Sequence, residues 1–146
     1  MQKQSEEIKN LYEAFAKAQG EFTPVPKNKT AKVRSNRTNS EFTYKYADLA
    51  DILAMALPVL SKYGIGFSQP NLLVDGQLRV CTKLKHASGE WEMSDGIAIS
   101  ESVAPQDFGA ASSYYRRYDA CSMLGIAADE DADAQHTEAR PPIRQP

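Results

Sequence analysis

The chain has 146 residues, 42% of them hydrophobic, and a formal net charge of −2, enough for one ordinary domain around one core. No run of about 18 or more apolar residues exists to span a bilayer, and the opening MQKQSEEIKN lacks the apolar stretch of a signal peptide, so a cytoplasmic protein with no membrane partner is expected. Cys81 and Cys121 show neither CxxC spacing nor neighbours of zinc-site type, which points to free thiols rather than a disulfide framework or a zinc site.

Residues 5–19 read as an amphipathic helix, because Ile8, Leu11, Tyr12 and Phe15 recur at helical spacing. Ser5 is placed to cap it, Glu6 and Glu7 suit its positive end, and Gly20 ends it. From Phe22 to Ser40 no clear period is visible, and Pro24 and Pro26 lie among basic residues. Lys27, Lys29, Lys32, Arg34, Arg37 and Lys45 face the single acid Glu41 between residues 27 and 45, a local charge of +5. The stretch from Phe22 to Ser40 is expected to form an extended, partly mobile basic arm. A second helix begins near Asp48 and aligns Leu49, Ile52, Leu53, Ala56, Leu57 and Leu60, with Gly64 as its stop and Pro58 expected to kink or restart it.

Between Ile65 and Ile97 the period changes to two, punctuated by Asp75-Gly76 and Ser88-Gly89, which predicts three antiparallel strands. In the middle strand Leu78, Val80, Thr82 and Leu84 share one face, and Arg79, Cys81, Lys83 and Lys85 the other. A four-residue loop into the next strand would set Lys85 against Glu90, Lys83 against Glu92 and Leu84 against Trp91.

Pro105 suits the first turn of a long final helix ending near Leu124, with Gly125 as its cap. Ala110, Tyr114, Arg117, Cys121 and Leu124 form one stripe of this helix, and its Gly-Ala-Ala-Ser-Ser opening leaves it thin enough for a sheet or a phosphate backbone to approach. Between residues 129 and 138, Asp129, Glu130, Asp131, Asp133 and Glu138 face no Lys or Arg. The expected organisation is a folded domain over residues 1–127 and an acidic tail over 128–146 that lacks the apolar groups to fold alone.

The basic arm runs directly into Phe42, Tyr44 and Tyr46, and phosphate-tracking cations beside aromatic rings are what single-strand binding needs. The same alternation fits a short strand whose rings pack in the core, and the cations fit a solvated loop. Arg117 stands on an apolar stripe and requires a partner: an acid such as Asp48, Asp51 or Asp119, or a phosphate in a groove between helix and sheet. Arg116 lies on a different face and is expected to point outward. Lys83 and Lys85 read as one half of a charge ladder, whereas Arg79 has no acid opposite and is a better candidate for DNA.

The acidic run resembles a calcium loop only at its start, since Ala134 and Arg140 occupy the positions that need Gly and Glu; a solvated tail that competes with DNA for the basic arm is the alternative. His86 and His136 belong to no nucleophile arrangement, and no GxxxxGK[ST] occurs. Strand pairing by this chain would therefore run downhill on base pairing, with no catalytic residue, metal or cofactor expected.

Gly109-Ala110-Ala111-Ser112-Ser113-Tyr114-Tyr115-Arg116-Arg117-Tyr118, followed by Leu124-Gly125-Ile126 and the acids Asp131 to Asp133, resembles the Erf (essential recombination function) family of phage single-strand annealing proteins. Tyr44-Lys45-Tyr46-Ala47-Asp48-Leu49 leading to Pro58-Val59-Leu60, and a first helix ending in Ala18-Gln19, extend the resemblance from about residue 8 to residue 133. It implies an α+β fold of the wider Rad52-like group, with a β-β-β-α core. It implies an oligomeric ring or filament that holds single-stranded DNA by its backbone and anneals complementary strands without ATP in phage recombination. A phage exonuclease or host single-strand-binding protein would be a further partner in the bacterial cytoplasm. Tyr44, Tyr46, Arg117 and Tyr118 match motif positions, and Lys27, Lys29, Lys32, Arg34, Arg37, Tyr44, Lys45, Tyr46, Arg79, Tyr114, Arg116 and Arg117 are the expected DNA contacts.

Three other readings compete. A passive single-strand-protecting module of the OB type needs about five strands, more than the three read here. A structural assembly protein would tolerate loss of the basic arm, and a nuclease would need carboxylates converging from the core rather than gathered on a tail.

Overall fold

The computed structural model describes residues 1–34 and 37–129, so the expected acidic tail lies outside the described residues from Glu130 onward. Helix α1 spans Lys9–Gly20 and buries Leu11 and Ala18. It starts later than its apolar period predicts, and Ser5 does not cap it. The segment before it lies instead along a strand edge, where the Ser5 N–H donates to the Trp91 carbonyl at 2.9 Å and the Met93 N–H to the Lys3 carbonyl at 2.7 Å. An open N–H group of α1 is met from the sheet: Glu90 accepts from the Leu11 N–H at 2.9 Å and also from the Asn10 side-chain amide at 2.7 Å. A carboxylate here also complements the positive end of the helix dipole. Burial pushes the Glu90 carboxyl up, but these donors outweigh it and hold it below the usual carboxylate range.

The stretch expected to be a mobile arm contributes the first strand of a β-hairpin, whose second strand is the alternating Phe42-Tyr44-Tyr46 segment. Strand β1 (Lys29–Arg34) pairs antiparallel with β2 (Glu41–Tyr46), setting Lys29, Ala31 and Val33 opposite Tyr46, Tyr44 and Phe42 on one face. Thr30, Lys32 and Arg34 stand opposite Lys45, Thr43 and Glu41 on the other, exposed face. The period of two was present in β1, but its members on the inner face include a lysine and an alanine, which a search for apolar alternation passes over. Helix α2 (Leu49–Lys62) opens with a capping box between Asp48 and Asp51 and buries Ile52, Ala56 and Leu60. It runs through Pro58 without restarting: Pro58 is exposed, and so is Ala54, whose carbonyl loses its helical partner there.

The three expected strands are three long ribbons, each broken in the middle: β3 (Ile65–Ser68) and β4 (Asn71–Val74), β5 (Gln77–Val80) and β6 (Lys83–His86), β7 (Trp91–Met93) and β8 (Ile97–Ala98). The breaks align, giving two three-stranded sheets in the orders β3-β6-β7 and β4-β5-β8. Asp75 and Gly76 both take positive φ, at 51° and 75°, and close the β4–β5 hairpin as expected. At the break Val80, Cys81 and Thr82 are all buried, which strict alternation forbids. Gly96, at φ 78°, lets the third ribbon pass so close that a Cβ there would lie 2.5 Å from the Val80 carbonyl oxygen.

A final helix, α3 (Phe108–Leu124), follows a 3-10 turn at Pro105–Asp107 and ends on Gly125 at φ 75°, as the sequence predicts. Asp119 pins it to the break, accepting from the Thr82 hydroxyl at 2.6 Å and the Ser94 hydroxyl at 2.7 Å. Gln69 adds bonds to Thr82 Oγ1 and to the Arg116 carbonyl, both at 2.9 Å. Leu11, Ala18, Ala56, Leu60, Ile65, Leu84 and Leu124 form the main core, where the three helices meet one face of the sheet. The class is α+β as expected, with eight strands among the described residues rather than three.

The expected register of the last hairpin is off by one. Lys85 stands opposite Trp91, Leu84 opposite Glu92 and Lys83 opposite Met93. The loop has three residues, not four: Gly89, at φ 97°, closes it, with the Gly89 N–H on the His86 carbonyl at 2.9 Å and the His86 N–H on the Glu90 carbonyl at 2.8 Å. One residue fewer in the loop shifts every later pair.

Two outcomes follow from these close contacts. Gly96→Ala should lower stability by about 2 kcal/mol or more, through a strained φ and the contact with Val80, read as a lower urea midpoint at unchanged slope. Because the folded Glu90 carboxyl is depressed, its stabilisation is present above the unfolded value of about 4.3 and is lost as pH falls through the folded value. The melting temperature of Glu90→Gln should therefore fall less steeply than that of the parent protein between neutral and acid pH.

Candidate nucleic-acid interface

A cleft of about 440 Å³ opens between the hairpin and two helices. Ala31, Tyr44 and Tyr46 line it from the inner face of the hairpin, Asp48, Leu49 and Ala50 from the start of α2, and Ala110, Ser113, Tyr114 and Arg117 from α3. The aromatic walls come from the period of two in β2 and from helical spacing in α3. Ala31, Ala50, Ala110 and Ser113 keep the space between those walls open, which gives the small-residue opening of α3 a physical role.

Arg117 is 6% exposed. Its partner is none of the three acids the sequence offers, but Asp129. Asp48 and Asp51 are taken by Lys29, at 3.6 and 3.4 Å, and Asp119 by Thr82 and Ser94. Asp129 also accepts from the Tyr118 hydroxyl at 2.7 Å. The Arg117 guanidinium lies 4.7 Å from the Tyr46 ring centroid and 4.5 Å from that of Tyr118, so two π systems pack against the cation. Burial alone would lower the Arg117 pKa, yet Asp129 reverses the shift and holds the cation more firmly. Burial and the same carboxylate push the Tyr118 phenol far up, and burial raises Tyr44 and Tyr114, so these hydroxyls remain protonated at neutral pH.

Asp129 is held in place by the backbone. Ala128 is buried, its carbonyl accepts from the Ala47 N–H at 2.8 Å, and Asp129 forms a bridge with Tyr46. Ala128 and Asp129, which follow the boundary expected at 127, are thus packed against the hairpin, and the first acid of the expected tail is the counter-ion of Arg117. The alternation of Tyr44 and Tyr46 could not reveal this, and the only hint was the short, unbroken run from Gly125 to Ala128.

The expected contacts divide into groups. Tyr44, Tyr46, Tyr114 and Arg117 come together at the cleft, with Tyr118 behind them at 4.8 Å from Tyr114. Lys29 lies on the inner face of the hairpin, tied to the start of α2, and Lys27 is half-buried before it. Lys32, Arg34 and Lys45 are exposed on the outer face, Arg34 bonding Glu41 at 3.3 Å and Asn39 at 3.0 Å, and Arg37 is exposed in the turn. Arg79 stands apart, its guanidinium bound to the carbonyls of Asp95 and Gly96 at 2.9 and 3.0 Å. Arg116 is half-buried rather than outward-pointing, and its Nε has no partner among the described residues.

Removing one member of a buried ion pair leaves the other charge uncompensated. Asp129→Ala should therefore cost about 3–5 kcal/mol, whereas the double variant Arg117→Leu with Asp129→Leu should recover most of it. Urea midpoints of the two proteins check this, and equal midpoints would show that the pair is not the source of the loss.

No curated protein and no solved structure matches the chain. The family model described as the ERF superfamily matches residues 11–145. At the level of the family, that match implies recombination through single-stranded DNA. The match runs from Leu11, the first core residue of α1, through the hairpin, both sheets and α3, and the chain belongs to the ERF superfamily.

Proposed function

We propose that the protein binds single-stranded DNA and anneals complementary strands without ATP. The observation that carries this reading is the division of the hairpin into two faces. Its outer face presents Thr30, Lys32, Arg34, Thr43 and Lys45 with Glu41 and no ring at all. Cations and hydroxyls in extended register suit a phosphate backbone, which they position without reading sequence. Its inner face carries Tyr44 and Tyr46, which pack over Arg117 and seat the hairpin on α3. In this reading the tyrosines make the hairpin rigid, the cations hold the strand, and the bases stay free to meet a complement.

Assembly of several chains belongs to the same proposal. Among the described residues strand β4 ends its sheet, and Leu73 on it is 73% exposed, so a sheet edge with an apolar side chain beside it supports association between copies in a ring or filament. No helix among the described residues is long and apolar enough to cross a membrane.

The test is the pairing rate of two labelled complementary oligonucleotides, without ATP and across a salt series. Acceleration that fades with salt is expected. Each phosphate neutralised on a single strand contributes about 0.7 to the slope of log affinity against log salt, so Lys32→Ala combined with Lys45→Ala should reduce that slope by about 1.4. Binding without acceleration would make this a passive single-strand module, and no binding at any salt would reject a DNA role.

A further inference from the structure

The one tryptophan of the chain, Trp91, belongs to neither core cluster. It lies on the face of the β3-β6-β7 sheet opposite Leu84 and Ile65, the residues that meet the helices. Lys85 is directly across from it, and Lys83, one pair further along, sets its Nζ 4.4 Å from the indole centroid. On the other side of these lysines stand Gly66 and Ser68, so no large side chain from β3 rises beside them. The acids that a four-residue loop would have placed against the lysines are engaged elsewhere. Glu90 caps α1, and Glu92 accepts from the Tyr12 hydroxyl at 2.7 Å on the helical side. Asp95, beyond Met93, is paired with Lys3. Lys85 is exposed and forms no ion pair among the described residues.

A half-buried indole with the Lys83 ammonium over its ring and Lys85 across from it, on the sheet face away from the described helices, is a stacking surface with phosphate partners beside it. We propose that this face is a second contact for single-stranded DNA, in which Trp91 stacks against a base and Lys83 and Lys85 take the adjoining phosphates. The proposal rests on the single-strand reading above and adds a contact of different chemistry: the hairpin holds backbone, whereas this face holds a base. A segment stacked on Trp91 is unpaired, so the face favours DNA that has not yet found its complement.

Because Trp91 is the only tryptophan, its emission reports on this face alone. The experiment titrates oligothymidylate into the full chain while following tryptophan emission and, in parallel, the anisotropy of a labelled copy of the same oligonucleotide. Quenching in step with the anisotropy is expected. In Lys83→Glu combined with Lys85→Glu the quenching should be largely abolished and the Kd raised about tenfold. Lys85→Glu alone, at an exposed position, should show the same change at smaller size should the double variant fold poorly. Rising anisotropy with unchanged emission, or equal quenching in the lysine variants, would overturn the second contact and leave the annealing reading standing. No anisotropy change at any salt would overturn both.

Discussion

A guanidinium removed from water needs a carboxylate, and the position of Asp129 against Arg117 sets the relation of three parts of this chain. The pair ties α3 to the segment beyond it. The bridge from Asp129 to Tyr46, with the Ala47–Ala128 bond beside it, ties that segment to the end of β2. The rings of Tyr46 and Tyr118 cover the cation, so the hairpin is seated on α3 by charge, π contact and backbone bonding together. A buried pair of this kind contributes less to net stability than to arrangement, because desolvation offsets much of the attraction. Its effect here is to give a short two-stranded hairpin, marginal by itself in water, one fixed orientation.

A second polar node acts on the sheet. Asp119 gathers the hydroxyls of Thr82 and Ser94 at the line where all three ribbons break. Since Thr82 is fully buried, its hydroxyl needs this partner, and the bond fixes α3 over the break. The two halves of the sheet then serve different ends. The β3-β6-β7 half packs its inner face on the helices and leaves Trp91 and the lysines outside, and the β4-β5-β8 half ends, among the described residues, on the edge of β4.

These arrangements reconcile a net charge of −2 with an anionic partner. Cations already gather between residues 27 and 45 of the sequence, and folding sets Lys32, Arg34 and Lys45 together on one exposed face of the hairpin. It withdraws acids from such faces by giving them internal work: Asp129 to Arg117, Asp48 and Asp51 to the α2 cap and Lys29, and Glu90 to the α1 N–H groups. What a phosphate backbone meets is the local field rather than the sum over the chain.

Three helices, the Asp75-Gly76 turn, the order of the three ribbons and the Gly125 cap were legible from the sequence, because each is a periodic or short-range signal carried within one segment. The clustering of Tyr44, Tyr46, Tyr114 and Arg117 was legible in part, as two motifs of unknown distance. The hairpin was legible only in its second strand, since β1 carries a lysine and an alanine on its inner face and takes its meaning from the pairing with β2. The register beside Trp91 turned on whether a loop held three residues or four, which the positive φ at Gly89 decides. The partner of Arg117, Asp129, lies past the end of α3, and the cap of α1, Glu90, comes from a strand remote in sequence. Period and turn chemistry are properties of a segment and can be read along the chain, whereas the choice of a counter-ion among many acids depends on which segments meet, and only the packed structure decides that.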